Sequence, residues 1–499
     1  MPTSVRKDSF LIYHIRNFSI ILFSFTFLPL SCIIVITALI LTQFSLFLPR
    51  RRTLKKDVPR ILVTGVGMAK GLFLARTLYL GGCEVYGADF DRSGNLHCGR
   101  FSRAIKKFFP LKNPLSNGIN AYVDRVIEII DTEQINLWIS CSGVLTAIED
   151  GILAREITQK TKCKVFQPDE DTISQFHDKM KFMEKISELR LSNIEWHFLL
   201  SHKDIPIILS KLKKSAETSL AQKFIIKSAD IDAIFRNSLP LINSHDLQNA
   251  EKVLNELDYS SGHKWLLQEF IDTSEEYCSQ AVVVNGSVRA FTACPSSSVL
   301  LHYKQLDSGS ILYQEMLQFT QSCATGFGNI TGHISFDFLA RSQRVSGGLN
   351  KTLVPIECNP RCHTATVLFN GKEAELADRY LEVLFGEKNI AILHAESHAQ
   401  YGLYWIAYDL VVLAAHFVFA VLDPNSTSWT AIVRHILEFL DHILTWKDPT
   451  FTWWDPLPWF VLNHLYWPWE LALTSLNKVK WKKLNVSTGK VIRYYSKLD

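Results

Sequence analysis

The sequence predicts an α/β protein with a hydrophobic segment at its N-terminus and an aromatic-rich region at its C-terminus. Three observations support this prediction. Strand-like and helix-like stretches alternate after residue 57, one uncharged run covers residues 17–49, and nine of the twelve tryptophans lie beyond residue 400. Alternating strands and helices are typical of a parallel sheet with helices on both faces.

The composition narrows the class of protein. Hydrophobic residues make up 47% of the chain and charged residues 20%, values typical of globular domains, which excludes extended disorder. Residues 1–60 hold nine Lys and Arg against two Asp and Glu, so the net charge of +4 leaves −3 for the rest. The body therefore lacks the basic character of nucleic-acid-binding proteins. Ten cysteines without a CxxC pair favour a reducing compartment.

The uncharged run at residues 17–49 exceeds the ~20 residues that a membrane-spanning helix needs. More basic residues follow the run than precede it, which predicts a cytosolic catalytic part. We therefore expect membrane attachment, either single-pass or monotopic. A cleaved signal peptide is the alternative, but the run ends in arginines rather than in a small-residue cleavage site. Pro29 leaves a kinked span or a shallow hairpin open.

A strand-like stretch from residue 60 leads into a glycine turn with Gly65, Gly67 and Gly71, and a helix is predicted from Met68. A second strand ends at Asp89. This spacing is close to the dinucleotide-binding fingerprint, in which glycines admit a pyrophosphate and the acid holds a ribose. The alternative is a tight turn without a ligand. A membrane-bound NAD-dependent reductase therefore remains an alternative function, although a second nucleotide-type pattern follows.

That second pattern consists of polar residues at the ends of, or within, strand-like and helix-like stretches: Lys179, Lys227, Gln268, Glu276, Asp337, Glu357, Asn359 and Arg361. Lysines on separate elements can hold the phosphates of ATP, and an apolar strand can bind adenine through its backbone. Mg²⁺ prefers hard oxygen ligands, usually one or two carboxylates together with phosphate oxygens. Glu357 and Asn359 lie two residues apart, so on a strand they share a face.

The ordered series resembles the ATP-grasp superfamily, and IECNPR (residues 356–361) is its most specific segment. The resemblance extends to the ATP-grasp enzymes of mycosporine-glycine synthesis and to fungal secondary-metabolite relatives, including those of the fumisoquin type. It includes the ILVTG turn, QEFI, ISFDFL, IECNPRCHTA and DPLPW at residues 455–459. It implies an N-terminal membrane helix, a Rossmann-like pre-ATP-grasp domain, an ATP-grasp domain and an aromatic-rich C-terminal appendage, over residues 1–56, 57–170, 171–386 and 387–499.

The resemblance also implies roles for individual residues. The expected ATP-binding residues are Lys179 and Lys227 at the phosphates, Gln268, Glu269, Phe270 and Ile271 at the adenine, and Glu276 near the ribose. The expected ligands of Mg²⁺, with Mn²⁺ as an alternative, are Asp337, Glu357 and Asn359. Arg361 is expected to contact phosphate or the transition state. One departure concerns residues 228–236, which lack the glycine-rich loop of many such enzymes and offer Arg236 instead.

The implied reaction is phosphorylation of an oxygen of one substrate by ATP, followed by displacement of phosphate by an amine. In mycosporine-type relatives an amino acid is joined to a cyclohexenone through a C–N bond. We therefore expect a ligase with small-molecule substrates, an amino acid and an acceptor, and no nucleic-acid partner. A non-catalytic membrane scaffold is a further alternative, and the intact set of acids and lysines argues against it.

Overall fold

A computed structural model gives the fold of the protein and confirms the α/β class. It describes residues 10–44, 46, 48–49, 51–53, 58–90, 96–141, 143, 146–192, 194–218, 222–228, 241–259, 263–273, 275–296, 303–345, 348–386, 390–395, 402–403, 413, 417, 420–421, 429–477, 481–485 and 490–493.

The chain begins with one long helix, α1 (Phe10–Gln43), which contains Pro29 without a break. Its segment Ile20–Gln43 is the one helical stretch of the described chain that is long and apolar enough to cross a membrane, by length and composition alone. A helix of 24 residues is about 36 Å long, against about 30 Å for the hydrocarbon core of a bilayer.

The first domain contains a parallel five-stranded sheet in the order β3-β2-β1-β4-β5. Its elements are β1 (Arg60–Thr64), α2 (Ala69–Leu80), β2 (Glu84–Phe90), β3 (Ile105–Leu111), α3 (Pro114–Asn117), α4 (Ile119–Glu133), β4 (Leu137–Ser140), α5 (Ala147–Lys160) and β5 (Lys164–Phe166). Helix α2 covers one face, and α4 and α5 cover the other, because alternate residues of each strand enter two separate cores.

The second domain contains two mainly antiparallel sheets, ordered β6-β9-β7-β8 and β13-β12-β10-β11-β14. Its elements are α6 (Glu170–His177), α7 (Lys179–Glu188), β6 (Trp196–Leu199), α8 (Ile205–Thr218), β7 (Lys223–Ser228), β8 (Leu241–Asn243), α9 (Leu247–Asn255), β9 (Trp265–Glu269), β10 (Glu276–Val284), β11 (Ser287–Pro295), α10 (Ile311–Gly326), β12 (Gly332–Val345), β13 (Gly348–Asn359), α11 (Glu373–Phe385) and β14 (Leu393–His394). Strand β14 pairs with β11, so the larger sheet continues past residue 386.

One apolar core fixes the smaller sheet relative to the larger one. Phe176 and Met183 of α6 and α7, Leu266 of β9, and Phe336 and Phe338 of β12 all belong to it. Because helices and strands from both sheets share this core, it sets the distance between the segment after β9 and the polar residues of β12.

The C-terminal region contains α12 (Trp429–Thr445), α13 (Leu457–Val461), a π-helical turn (Leu462–Tyr466), α14 (Trp467–Leu476), β15 (Trp481–Asn485) and β16 (Lys490–Arg493). Asp455, just before α13, joins this region to the first domain. Its carboxylate lies 2.8 Å from Nε of Arg76 on α2, and the exposed fraction of its side chain is 0%. The aromatic region is therefore anchored to the first domain.

Candidate functional site

The three predicted metal ligands lie together on two neighbouring strands. Asp337 of β12 is paired in register with Glu357 of β13, and Asn359 follows two residues later on the same strand. The Asn359 amide donates a hydrogen bond to the Asp337 carboxylate over 3.1 Å. Since both strands belong to one antiparallel pair, the two carboxyl groups are adjacent although 20 residues separate them.

Asp337 is in an environment that penalises its negative charge. Burial raises the pKa of Asp337 well above its usual range, and the neighbouring Glu357 carboxyl raises it further. Two adjacent carboxylates and an amide are a donor set that suits Mg²⁺, which is commonly bound through one or two carboxylates plus substrate phosphates. Within the described ranges, no three His, Cys, Asp or Glu side chains form a metal cluster.

Arg361 lies at the end of the same strand pair. Its Nη2 donates to the Asn359 side-chain oxygen over 2.7 Å. The Asn359 oxygen is therefore bonded to the guanidinium, and it would have to leave that bond to bind a metal. The arrangement places one fixed positive charge beside the two carboxylates, where it can contact a phosphoryl group.

The two predicted phosphate-binding lysines meet at the carboxyl end of β7. Lys179, the first residue of α7, donates to the Ser228 carbonyl over 2.9 Å. Lys227 donates to Oε1 of Gln268 on the adjacent strand β9 over 2.7 Å. Residues 229–240 directly after these contacts lie outside the described residues, so the predicted contribution of Arg236 stays a prediction.

The predicted adenine hinge follows the end of β9. Gln268 is 1% exposed. Phe270 donates its amide to the Lys223 carbonyl over 2.7 Å, whereas none of the described residues accepts a hydrogen bond from the buried Ile271 amide. The Glu269 side chain pairs with Arg341 of β12 over 2.6 Å. The Ile271 amide is thus available to an adenine edge, while Glu269 links the hinge to the strand that carries Asp337.

A polar cavity of about 510 Å³ borders this hinge. Its lining residues are Glu269, Phe270, Ile271, Asp272, Thr273, Glu275 and Arg341. Neither of the two lysines lines this cavity, and neither does a carboxylate of the predicted metal site. The cavity therefore lies beside the hinge and not at the predicted phosphate or metal site. A larger cavity of about 1060 Å³ lies between α5, β5 and the loop before β12, and none of the predicted site residues lines it.

Glu276 is more loosely connected to the site than the other predicted residues. It begins β10 and is exposed, and its carboxylate accepts a hydrogen bond from Ser296 over 3.2 Å. It also lies close enough to Asp337 to raise the pKa of that carboxyl, although four other causes are larger.

Sequence reasoning missed Lys70, a buried residue in the first turn of α2. Its side chain is 2% exposed, and its ammonium donates to the Cys362 carbonyl over 2.6 Å. Burial lowers the pKa of Lys70. The segment after Arg361 therefore rests on the first domain. A lysine after a glycine turn is ordinarily solvent-exposed, so no local signal would have identified this contact.

His363 lies beside the same two cations. Burial is the main cause that lowers the pKa of His363 to about 3, followed by the positive charges of Arg361 and Lys70. Its Nδ1 accepts a hydrogen bond from the Ala365 amide over 3.2 Å. The imidazole is therefore neutral at physiological pH.

The glycine turn of the first domain is occupied by the protein itself. The Asp89 carboxylate accepts a hydrogen bond from the Gly67 amide over 2.7 Å and another from the Phe90 amide over 2.8 Å. A Cβ atom at Gly67 would lie 2.7 Å from the His97 ring, and one at Gly71 2.2 Å from the Gly65 carbonyl. These contacts favour the tight-turn interpretation, because the acid expected to hold a ribose is bonded to the turn.

Comparisons with known proteins give matches to solved structures only. No protein-family model and no curated protein matches the chain. N5-carboxyaminoimidazole synthetase from Staphylococcus aureus is 13% identical over 68% of this chain and 81% of its own, with a TM-score of 0.46. The biotin carboxylase–β,γ-ATP complex from Campylobacter jejuni is 14% identical over 67% and 72%, also at 0.46.

The biotin carboxylase domain of Hydrogenobacter thermophilus 2-oxoglutarate carboxylase, in complex with MgADP and bicarbonate, is likewise 14% identical over 68% and 72%, with a TM-score of 0.46. At identities and TM-scores this low, similarity supports no inference about activity. Function is therefore inferred from the geometry of the site.

Proposed function

We propose that the protein is a Mg²⁺-dependent ATP-grasp ligase. The observation that carries the proposal is the pairing of Asp337 with Glu357, beside Asn359, on strands whose core also holds the hinge after β9. Two adjacent carboxylates repel each other, and a divalent cation bound to nucleotide phosphates relieves that repulsion.

In this proposal, different residues bind different parts of ATP. The Ile271 amide binds the adenine edge, Lys179 and Lys227 bind phosphate oxygens from two elements, and Glu276 approaches the ribose. Asp337, Glu357 and Asn359 would hold the metal, which supplies positive charge to the phosphates. In the nucleotide-free structure each lysine is bonded to a protein oxygen, so binding exchanges those contacts for phosphate oxygens.

The proposed reaction has two steps. An oxygen of the first substrate attacks the γ-phosphorus of ATP, and ADP leaves. An amine, from an amino acid in this proposal, then attacks the carbon that bears the phosphorylated oxygen. A C–N bond forms, the C–O bond breaks and inorganic phosphate departs. Arg361 is placed to stabilise the negative charge that develops on the transferred phosphoryl group. Its contact with Asn359 fixes the direction from which the guanidinium approaches.

The resemblance in sequence motifs supports a place in secondary-metabolite biosynthesis, with a cyclohexenone as one acceptor to be tested. The long apolar helix α1 supports membrane attachment. The excess of basic residues after the uncharged run supports a catalytic part in the cytosol. The bonded Asp89 argues against the NAD-dependent reductase, and the assembled lysines and acids argue against a scaffold without catalysis.

An isotope experiment tests the reaction. The full-length protein is supplied with MgATP, a mixture of amino acids and a cyclohexenone whose acceptor oxygen carries ¹⁸O. We expect ADP rather than AMP, and ¹⁸O in the released phosphate, because the phosphorylated oxygen leaves with phosphorus. AMP and pyrophosphate, or phosphate without label, would contradict the mechanism. Omission of the amino acids is the control for simple hydrolysis.

A further inference from the structure

The first helix and the last helices of the described chain form an antiparallel pair. Hydrogen bonds join them at three levels, from Thr42 Oγ1 to the Trp453 carbonyl (3.3 Å), from Ser24 Oγ to the Asn463 carbonyl (2.8 Å) and from Asn17 Nδ2 to Ser475 Oγ (2.7 Å). Residue numbers fall along α1 as they rise along α13 and α14. The contact therefore follows α1 for about 37 Å.

Helix α13 joins this pair to the rest of the protein, because it packs on the first domain through the 3₁₀-helix Cys98–Phe101. Among the described elements, the extensive contacts of α14 are with α1 and with the π-helical turn that precedes it. Trp467 and Leu471 of α14 also belong to the apolar core that includes α2. The N-terminal half of α1 and α14 thus pack on each other at the edge of that core.

The polarity of α1 is the reverse of that of a helix on a water-soluble protein. The face toward α13 and α14 buries small and polar residues, including Asn17, Ser31, Ala38 and Thr42. The outward face exposes large apolar side chains, which are Phe18, Leu22, Phe25, Ile33, Ile36 and Ile40. A helix in water buries its apolar face. Helices in lipid pack through small and polar residues and place large apolar ones outside.

The partner helices also expose large apolar side chains, and they bury apolar ones such as Trp467 and Leu471 as well. Leu465, Trp469 and Leu476 are exposed, and their spacing of four and seven residues places them on one face. The polar side chains of the π-helical turn bond inward: His464 Nδ1 lies 3.0 Å from the Ser24 carbonyl, and Asn463 donates to a backbone carbonyl one turn earlier over 2.9 Å. These contacts satisfy part of the requirement that hydrocarbon places on polar groups, while Nε2 of His464 has no hydrogen-bond partner among the described residues.

We propose that the π-helical turn and α14 enter the hydrocarbon layer of a membrane together with α1, so that the first and the last described helices both anchor the protein. The occupant of the outward apolar surface is lipid acyl chain. Residues 462–476 form about 22 Å of helix, against about 30 Å for a bilayer core. The net charge of +7 in residues 1–60 favours a membrane with anionic headgroups.

Site-specific fluorescence on the full-length protein tests this proposal. Cys32 is replaced by serine, since the other nine cysteines are buried, and single cysteines are introduced for an environment-sensitive label. The test sites on α14 are Trp469→Cys and Leu476→Cys, and Phe25→Cys tests α1 in the same way. Ile311→Cys on α10 is the matched aqueous control, because Ile311 and Leu476 are both 77% exposed.

The labelled proteins are reconstituted in vesicles of phosphatidylcholine and phosphatidylserine, with or without phosphatidylcholine brominated in its acyl chain. We expect brominated lipid to quench the labels at 469, 476 and 25 equally, and several-fold more than the label at 311. Iodide in the buffer should show the opposite order. If iodide quenches the labels at 469 and 476 as it does that at 311, the proposal is wrong, whether or not the label at 25 is in lipid.

Discussion

At the scale of single residues, the paired carboxyl groups of Asp337 and Glu357 are the most consequential feature of the proposed site. Asp337 and Glu357 come from two strands that converge only in the folded chain, and each contributes a negative charge that the other disfavours. In the proposed function a cation relieves that repulsion, so removal of one carboxylate should affect catalysis more than folding.

We predict that Glu357→Gln lowers ATP turnover by about 100-fold or more, because the metal is held poorly and phosphate charge is left uncompensated. Release of ADP from MgATP is the measurement, with a denaturation midpoint to show that the fold is intact. Glu84→Gln is the control, since Glu84 pairs with Lys106 on the first sheet, away from the site. Near-full activity of Glu357→Gln would remove the metal assignment.

A second prediction separates ATP from NAD. Lys227→Ala should reduce the increase in melting temperature that ATP produces, because a ligand stabilises the fold in proportion to its affinity. Asp89→Asn should leave that increase unchanged, since its one side-chain oxygen still accepts the Gly67 hydrogen bond and only the bond from the Phe90 amide is lost. Stabilisation by NAD that Asp89→Asn abolishes would instead support the reductase.

A third prediction follows from the lowered pKa of His363, which is about 3 in the folded protein. The unfolded chain binds a proton near pH 6.5, so the free energy of unfolding should fall as pH drops from about 6.5 toward 3, by up to about 1.4 kcal/mol per pH unit. His363→Asn keeps a capping acceptor for the Ala365 amide and should lack this part of the slope. Equal slopes in both proteins would contradict the prediction.

At the scale of secondary-structure elements, Asp455 determines how the C-terminal helices attach. Its two carboxylate oxygens bind Arg76, the Ser102 hydroxyl (2.6 Å) and the Arg103 amide (2.9 Å). These partners belong to α2 and to the segment between the 3₁₀-helix and β3. One buried side chain thus joins the segment DPLPW to two elements of the first domain.

We therefore predict that Asp455→Ala lowers the free energy of unfolding by about 3–5 kcal/mol, because it leaves the Arg76 charge buried without its partner. Urea denaturation in detergent, followed by tryptophan fluorescence, is the measurement. Asp441→Ala on α12 is the matched control, since that aspartate is exposed and only its backbone carbonyl accepts a hydrogen bond. Equal denaturation midpoints for the two variants would show that the contact between Asp455 and Arg76 contributes little to stability.

At the scale of the whole molecule, the proposed anchoring and the proposed catalysis occupy different parts of the chain. Every proposed catalytic residue lies beyond residue 170, while α1 contacts the C-terminal helices. If both chain ends enter the membrane, loss of α1 alone should not release the protein, because Trp469 and Leu476 remain on an apolar face.

A protein that begins at Asp57 should accordingly convert ATP at a rate within a few-fold of the full chain and stay in the membrane fraction. Adding Trp469→Glu and Leu476→Glu to it should move it to the soluble fraction, since a charged side chain in hydrocarbon costs about 2.5–3.5 kcal/mol. Ile311→Glu is the control. A soluble and inactive protein before those substitutions would show that α1 helps to build the site.

The amino-acid sequence alone predicted the features that depend on local patterns of residues. Hydrophobic periodicity predicted the parallel sheet, and the uncharged run predicted α1. The roles of the lysines, the hinge and the metal acids, implied by residue type and order, stay predictions. Such features depend on near neighbours or on short motifs. The pairing of Asp337 with Glu357, both already named as ligands, then followed from strand register.

The contacts of those residues with residues far away in the sequence are visible only in the folded structure. It bonds Asp89 to the glycine turn, buries Lys70 under Cys362 and directs the polar face of α1 toward helices more than 400 residues away. A sequence pattern specifies which side chains share a face, but the partner that covers a face is set by packing between distant segments. The contact between α1 and the C-terminal helices, on which the proposed membrane surface rests, is therefore visible only in the folded chain.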